Sequence, residues 1–147
     1  MGEAETAAQI IAAGHEPATE RLRTLLTTVH HMNAARYVED SKIHEMVAVA
    51  MEESWDVCEA YILKITLYIA QVIAAGAAAG LFHVADVEVA ARCASAAMLR
   101  FFHPQMIAQF NYKQGATLDE MIAFVIAGLR DVDATCRLHA VEQISFD

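Results

Sequence analysis

No basic cluster occurs anywhere in this sequence: ten Lys and Arg are spread among nineteen Asp and Glu, for a net charge of −9. Binding to nucleic-acid phosphates draws on such a cluster, so these residues by themselves are not expected to grip DNA or RNA. A secretory leader is not expected either. Met1-Gly-Glu-Ala-Glu opens with acids where a leader carries a basic and then an apolar segment, and a cytoplasmic protein is expected. Cysteine is sparse: Cys58, Cys93 and Cys136 form an odd, widely spaced set, which speaks against a disulfide framework or a metal knuckle and for small buried thiols. Catalytic signatures are absent too, with no nucleophile elbow, phosphate-cradling glycine loop or dinucleotide fingerprint. The acid pairs Glu52-Glu53 and Asp119-Glu120 fall at helix starts, where dipole compensation accounts for them. Neither an enzyme nor a cofactor is expected. Seven histidines include no H-x-x-x-H or E-x-x-H pair, so His30, His31, His44 and His103 read as capping or surface residues and no metal site is expected.

What is present is apolar: 56% of the residues are hydrophobic and 20% charged, the balance of one compact domain with a sizeable core. The longest uncharged run, Ile65 to Phe82, contains a G-x-x-x-G at Gly76 and Gly80. Its length approaches that of a membrane span. Thr66, Tyr68 and Gln71 inside it, Lys64 at its edge and its small residues argue instead for a buried helix of a soluble protein.

Apolar residues recur at helical three-four spacing throughout, and no period-two segment is long enough for a strand, so the fold is expected to be all-α. Glu3 to Ala13 reads as a helix ended by Gly14, and Pro17 suits the first turn of the next, which runs to about Val38 with Leu22, Leu25, Leu26, Val29 and Met32 on one face. Glu39-Asp40-Ser41 supplies a break and a cap before a short helix marked by Ile43, Met46, Val47, Ala50 and Met51. From Trp55 a long helix carries Cys58, Ile62, Ile65, Ile69, Val72 and Gly76 on one face, with Leu63, Leu67 and Tyr68 making other faces apolar. That composition suits a central helix, stopped by a left-handed Gly80 with Leu81 and Phe82 folding back on its last turn. Asp86 caps a helix from Val87 to about Phe102 that His103-Pro104 interrupts, with a further turn or two over Gln105 to Phe110. Thr117-Leu-Asp-Glu120 is a capping box for a helix striped by Leu118, Met121, Ile122, Val125, Ile126 and Leu129, and the tail after Asp131 is expected to fray.

Two stripes stand out, one on 87–102 built on Ala90, Ala91, Ala94, Ala97, Met98 and Phe101, the other on 118–130. They serve either to close the core of the chain itself or to form a subunit interface, in which two helices from each of two chains make a four-helix bundle about a two-fold axis.

The run Ile73-x-x-Gly76-x-x-x-Gly80-x-Phe82-x-x-x-Asp86-x-x-x-Ala90-Ala91, followed by Arg100-Phe-Phe-His-Pro104 and the stripe from Leu118 to Leu129, resembles the C-terminal regulatory domain of TetR-family transcriptional repressors, over about Ala18 to Arg130. The resemblance implies a helical ligand pocket and a homodimer formed through the last two long helices. On that layout the interface comprises Ala90, Ala94, Met98 and Phe101 with Met121, Ile122, Val125, Ile126 and Leu129. The family's three-helix DNA-binding head is not recognisable in the chain. Residues 1–14 resemble the connecting helix alone, 15–131 the regulatory domain, and 132–147 a tail. The sequence is then a piece of a longer regulator or a headless relative, and DNA contact belongs to an N-terminal helix-turn-helix outside it.

A ligand-controlled regulator needs a mostly apolar cavity with a few orienting polar groups. On the family layout His31, Tyr37, Met46, Met51, Trp55, Met98, Phe102 and His103 surround that cavity; methionines and aromatics at helical spacing are equally ordinary core. The expected partner is a small, largely apolar effector. A helical dimerisation module that binds a protein and senses nothing is the alternative.

Overall fold

The computed structural model describes residues 2–38, 55–103, 106–107, 110 and 114–130. These residues are helical and contain no strand. The expected helix over 43–51 and the tail after Asp131 lie outside the described residues.

Helix α1 (Gly2–Ala12) buries Ala4, Ala8 and Ala12, a small residue every fourth position, and so lies close against its neighbours. Those neighbours are α2 (Ala18–Val38) and α3 (Trp55–Ala78). Arg21 ties the elbow between α1 and α2, its Nε donating to the Glu16 carbonyl at 2.8 Å and its Nη1 to the Ala12 carbonyl at 2.9 Å. A charged fork thus satisfies an acceptor that the end of α1 leaves open. The stripe read on α2 is the core: Leu22, Leu25, Leu26 and Val29 are fully buried, with Met32 packed at its margin.

α3 lies antiparallel to α2, since Gly76 near its end adjoins Ala18 and Tyr61 near its start bonds Asn33. It stops as the sequence indicates. Gly80 has φ +77°, its N–H donates to Ala77 O at 3.2 Å, and the Leu81 N–H donates to Gly76 O at 2.9 Å, the paired bonds of a Schellman motif. Phe82 then folds back into the core, and its ring occupies the space that a Cβ on Gly76 would fill. By length and composition α3 meets the requirement for a membrane span, yet it is packed between α1, α2 and α4. It is not buried all round, as its apolar faces suggested. Val57, Leu63 and Leu67 face outward, because three neighbouring helices cover only part of a helical cylinder.

Helix α4 (Val87–Ala97) begins at Asp86, whose carboxylate accepts from the Glu88 and Val89 N–H groups. The helix expected from Val87 to Phe102 is divided. Met98, with ψ −1°, tightens the turn between α4 and α5 (Leu99–Phe102), and Phe101 and Phe102, adjacent in sequence, are both buried beyond it. Past His103, Met106, Ile107 and Phe110 have helical geometry. Helix α6 (Leu118–Arg130) starts on the expected capping box: Thr117 N–H donates to Glu120 Oε2 at 3.0 Å and Glu120 N–H to Thr117 Oγ1 at 3.2 Å. Its last turn is closed from outside, by the His83 N–H donating to the Leu129 carbonyl at 2.8 Å. Of the cysteines, Cys58 is buried as expected and Cys93 is exposed, because α4 turns Ala91 and Ala94 inward and leaves Cys93 on its outer side.

Candidate functional site

Among the described residues the buried polar side chains are Asn33, Ser95 and His103, and two of them lie where α5 ends. His103, which precedes Pro104, is extended (φ −77°, ψ 124°), as a residue before proline prefers, and the helix cannot continue through it. The last carbonyls of α5 therefore need donors from elsewhere. Two come from successive turns of α2. His30 Nδ1 pairs with the Phe101 carbonyl at 2.8 Å, and Asn33 Nδ2 donates to the Phe102 carbonyl at 3.1 Å. Since a carbonyl only accepts, Nδ1 carries the proton. The other end of the Asn33 amide accepts from the Tyr61 hydroxyl of α3 at 3.1 Å. One side chain, only 2% exposed, thus joins three helices.

A second polar contact lies further along α3. Thr66 Oγ1 sits 2.7 Å from the Ile62 carbonyl of its own helix and 2.8 Å from Ser95 Oγ on α4. Met98, Phe101 and Phe102 are packed in the same core as Tyr61.

Burial governs the titratable groups here. It lowers the pKa of His30 and outweighs the opposing effect of the bond to Phe101, with neighbouring His31 adding a smaller push downward. It lowers the pKa of buried His103 in the same way. Both rings are therefore neutral at pH 7. Because these folded-state values lie below the ordinary 6.5, their contribution to stability is complete above pH 6.5 and is lost as pH falls through the folded values. Thermal melts from pH 8 down to pH 5 are expected to show Tm falling below about pH 6.5. His30→Gln and His103→Gln should each flatten that fall; an unchanged slope in both would assign the acid sensitivity elsewhere. Cys58 is raised by burial, which keeps its thiol protonated and a poor nucleophile. Among the described residues no group of three His, Cys, Asp or Glu is arranged to hold a metal ion. The chemistry on offer is neutral hydrogen bonding within an apolar surround.

The structure brings Met98, Phe102 and His103 together in the buried interior at this helix end. His31 is on the outer side of α2, its ring 5.5 Å from that of His30, the histidine that bonds inward. Tyr37 and Trp55 lie at the end of α2 and the start of α3, their side chains outside the described residues, as are Met46 and Met51 entirely. The stripe residues are accounted for within the chain: Ala94, Met98, Phe101, Ile122, Val125, Ile126 and Leu129 are buried in its own core, and Ala90 and Met121 are packed against it. Sequence reasoning missed Asn33 and Tyr61. The signal was there, since Asn33 continues the buried face through Leu22, Leu26 and Val29, and Tyr61 lies one turn before Ile65.

Searches of curated proteins and of solved structures give no match. A sequence profile described as Tetracyclin repressor-like, C-terminal domain matches residues 18–122, which take in α2, α3, α4, α5 and the start of α6. With an all-helical fold and a match across more than half of its length, the chain belongs to the tetracycline repressor-like C-terminal domain family.

Proposed function

We propose that this chain is the effector-binding and dimerising part of a ligand-controlled transcriptional regulator of the cytoplasm, most simply a repressor. The observation that carries the reading is the polar cluster of half-buried His30 with buried Asn33 and Tyr61 in a mostly apolar helical core of a domain family found in regulators. A few convergent polar groups in apolar surroundings suit the orientation of a small, largely apolar effector. Met98, Phe102 and His103 line that effector's site from α4–α5, and Tyr37, Trp55, Met46 and Met51 complete it. Effector binding favours one packing of α3 over another and so changes the spacing of DNA-binding heads joined ahead of α1 in a longer regulator.

Native mass spectrometry of the purified chain tests this directly. A dimer carrying the extra mass of a small molecule is expected. An empty dimer that takes up no member of a panel of small apolar compounds would instead fit a helical interaction module without sensing.

Dimerisation in this proposal runs through α4 and α6. Most of their stripe residues are already used inside the chain, so the contact draws on the flanks, Ala90 and Met121, and on the outer faces, where Phe124 is 74% exposed and Val89 and Leu99 also reach solvent. A large exposed aromatic beside small residues is the kind of anchor a two-fold interface uses. Phe124→Glu is expected to convert the dimer to monomer in sedimentation velocity with the melting temperature of the monomer unchanged. A dimer that persists would place the interface elsewhere.

A further inference from the structure

Tyr61 and Thr66 place α3 against its neighbours through hydrogen bonds on two different sides. Tyr61 reaches α2 through Asn33, which in turn holds the end of α5, and Thr66 reaches Ser95 on α4. Apolar packing tolerates a sliding helix, because one aliphatic side chain replaces another at similar volume. These bonds do not. A slide of one turn, about 5.4 Å, brings Cys58 or Ile65 to the place of Tyr61 and Ile62 or Ala70 to the place of Thr66, and none of these carries a hydroxyl. Both contacts are therefore made in one register and lost together in the next.

We propose that Asn33 is a positioning residue that latches α3 in register, and that the latch is opened by a ligand group competing for its amide or for the Phe102 carbonyl. This rests on the effector-binding reading above for what opens the latch; the latch itself is a property of the chain alone. Its buried amide has one donor committed to Phe102 and its oxygen to Tyr61, so a ligand that takes either partner weakens the tie between α2, α3 and α5 at one point. The structure supplies a reason for a polar group at this place: an apolar residue would fill the volume without fixing the register.

Hydrogen–deuterium exchange of the unliganded chain and of Tyr61→Phe, read by peptide, tests the latch without any effector. The expected result is a rise of ten-fold or more confined to the first half of α3 and to α5, with α6 and the Ala4–Ala8–Ala12 contact of α1 unchanged. A uniform rise over all helices would reduce Tyr61 to a general contributor to stability and overturn the proposal, as would no change anywhere. Thr66→Val/Ser95→Ala provides the second variant if Tyr61→Phe fails to fold; it should loosen α3 and α4 together and leave the α2–α5 contact protected, and uniform loosening would again overturn the latch. A localised response in a chain that retains and binds no small molecule would leave the latch standing and remove the sensor reading instead.

Discussion

Gly76→Ala is expected to destabilise the protein although alanine is the better helix former. The new Cβ overlaps the edge of the Phe82 ring, which is 2% exposed, and it also comes to 3.0 Å from the Ala18 Cβ. Overpacking of a buried site costs about 1–3 kcal/mol, against which the gain in helix propensity returns about 1. Removing the ring reveals the cause. Phe82→Ala by itself is expected to cost about 3–5 kcal/mol through lost burial and the cavity left behind. In that background the same Gly76→Ala change should become close to neutral, since the ring that opposed it is gone. Urea unfolding of the four variants, compared at constant m, measures the coupling. An equal penalty for Gly76→Ala with and without the ring would show that the glycine serves some other purpose.

Asn33→Leu is expected to be the most damaging exchange of a polar side chain for an apolar one of similar size. Leucine fills the volume but withdraws the amide that the Tyr61 hydroxyl and the Phe102 carbonyl bond to, and losing a buried hydrogen-bond partner costs about 1–3 kcal/mol. The coupling between the two side chains is the sharper test. Tyr61→Phe should cost less in the Asn33→Leu background than in the native chain, because the bond that joins the two is already gone there. Melting temperatures of the four variants decide it, and an equal cost of Tyr61→Phe in both backgrounds would mean that the Tyr61 hydroxyl acts through a group other than Asn33.

Local signals carried much of the fold. Gly80 in the left-handed region, Asp86 as a cap and the reciprocal Thr117–Glu120 box each depend on a few neighbouring residues, so their geometry can be read before any tertiary contact is known. The apolar stripes on α2 and α6 were legible for a related reason: a helical period shows which residues share a face. What the period does not show is what that face meets. The stripe on α6 could close this chain's core or a dimer's, and three-dimensional packing turned Ile122, Val125, Ile126 and Leu129 into the chain.

The candidate site was harder to read, because its members are far apart in sequence and act through single atoms. A histidine pair at His30-His31 gives no hint of which ring turns inward; the carbonyl of Phe101, 71 residues away, identifies His30 as the one that bonds there. Asn33 lies on an apolar face where a polar residue ought to have been a signal, but only the arrival of Phe102 and Tyr61 makes its burial affordable. The tightened turn at Met98 and the ring of Phe82 on Gly76 belong to the same class. By itself, then, the sequence determined the helices, their caps and their apolar faces, which are short-range properties of the backbone and of hydrophobic period. Tertiary structure decided which face meets which and where the buried polar atoms find partners, because those choices depend on distances between residues that the chain brings together only when it folds.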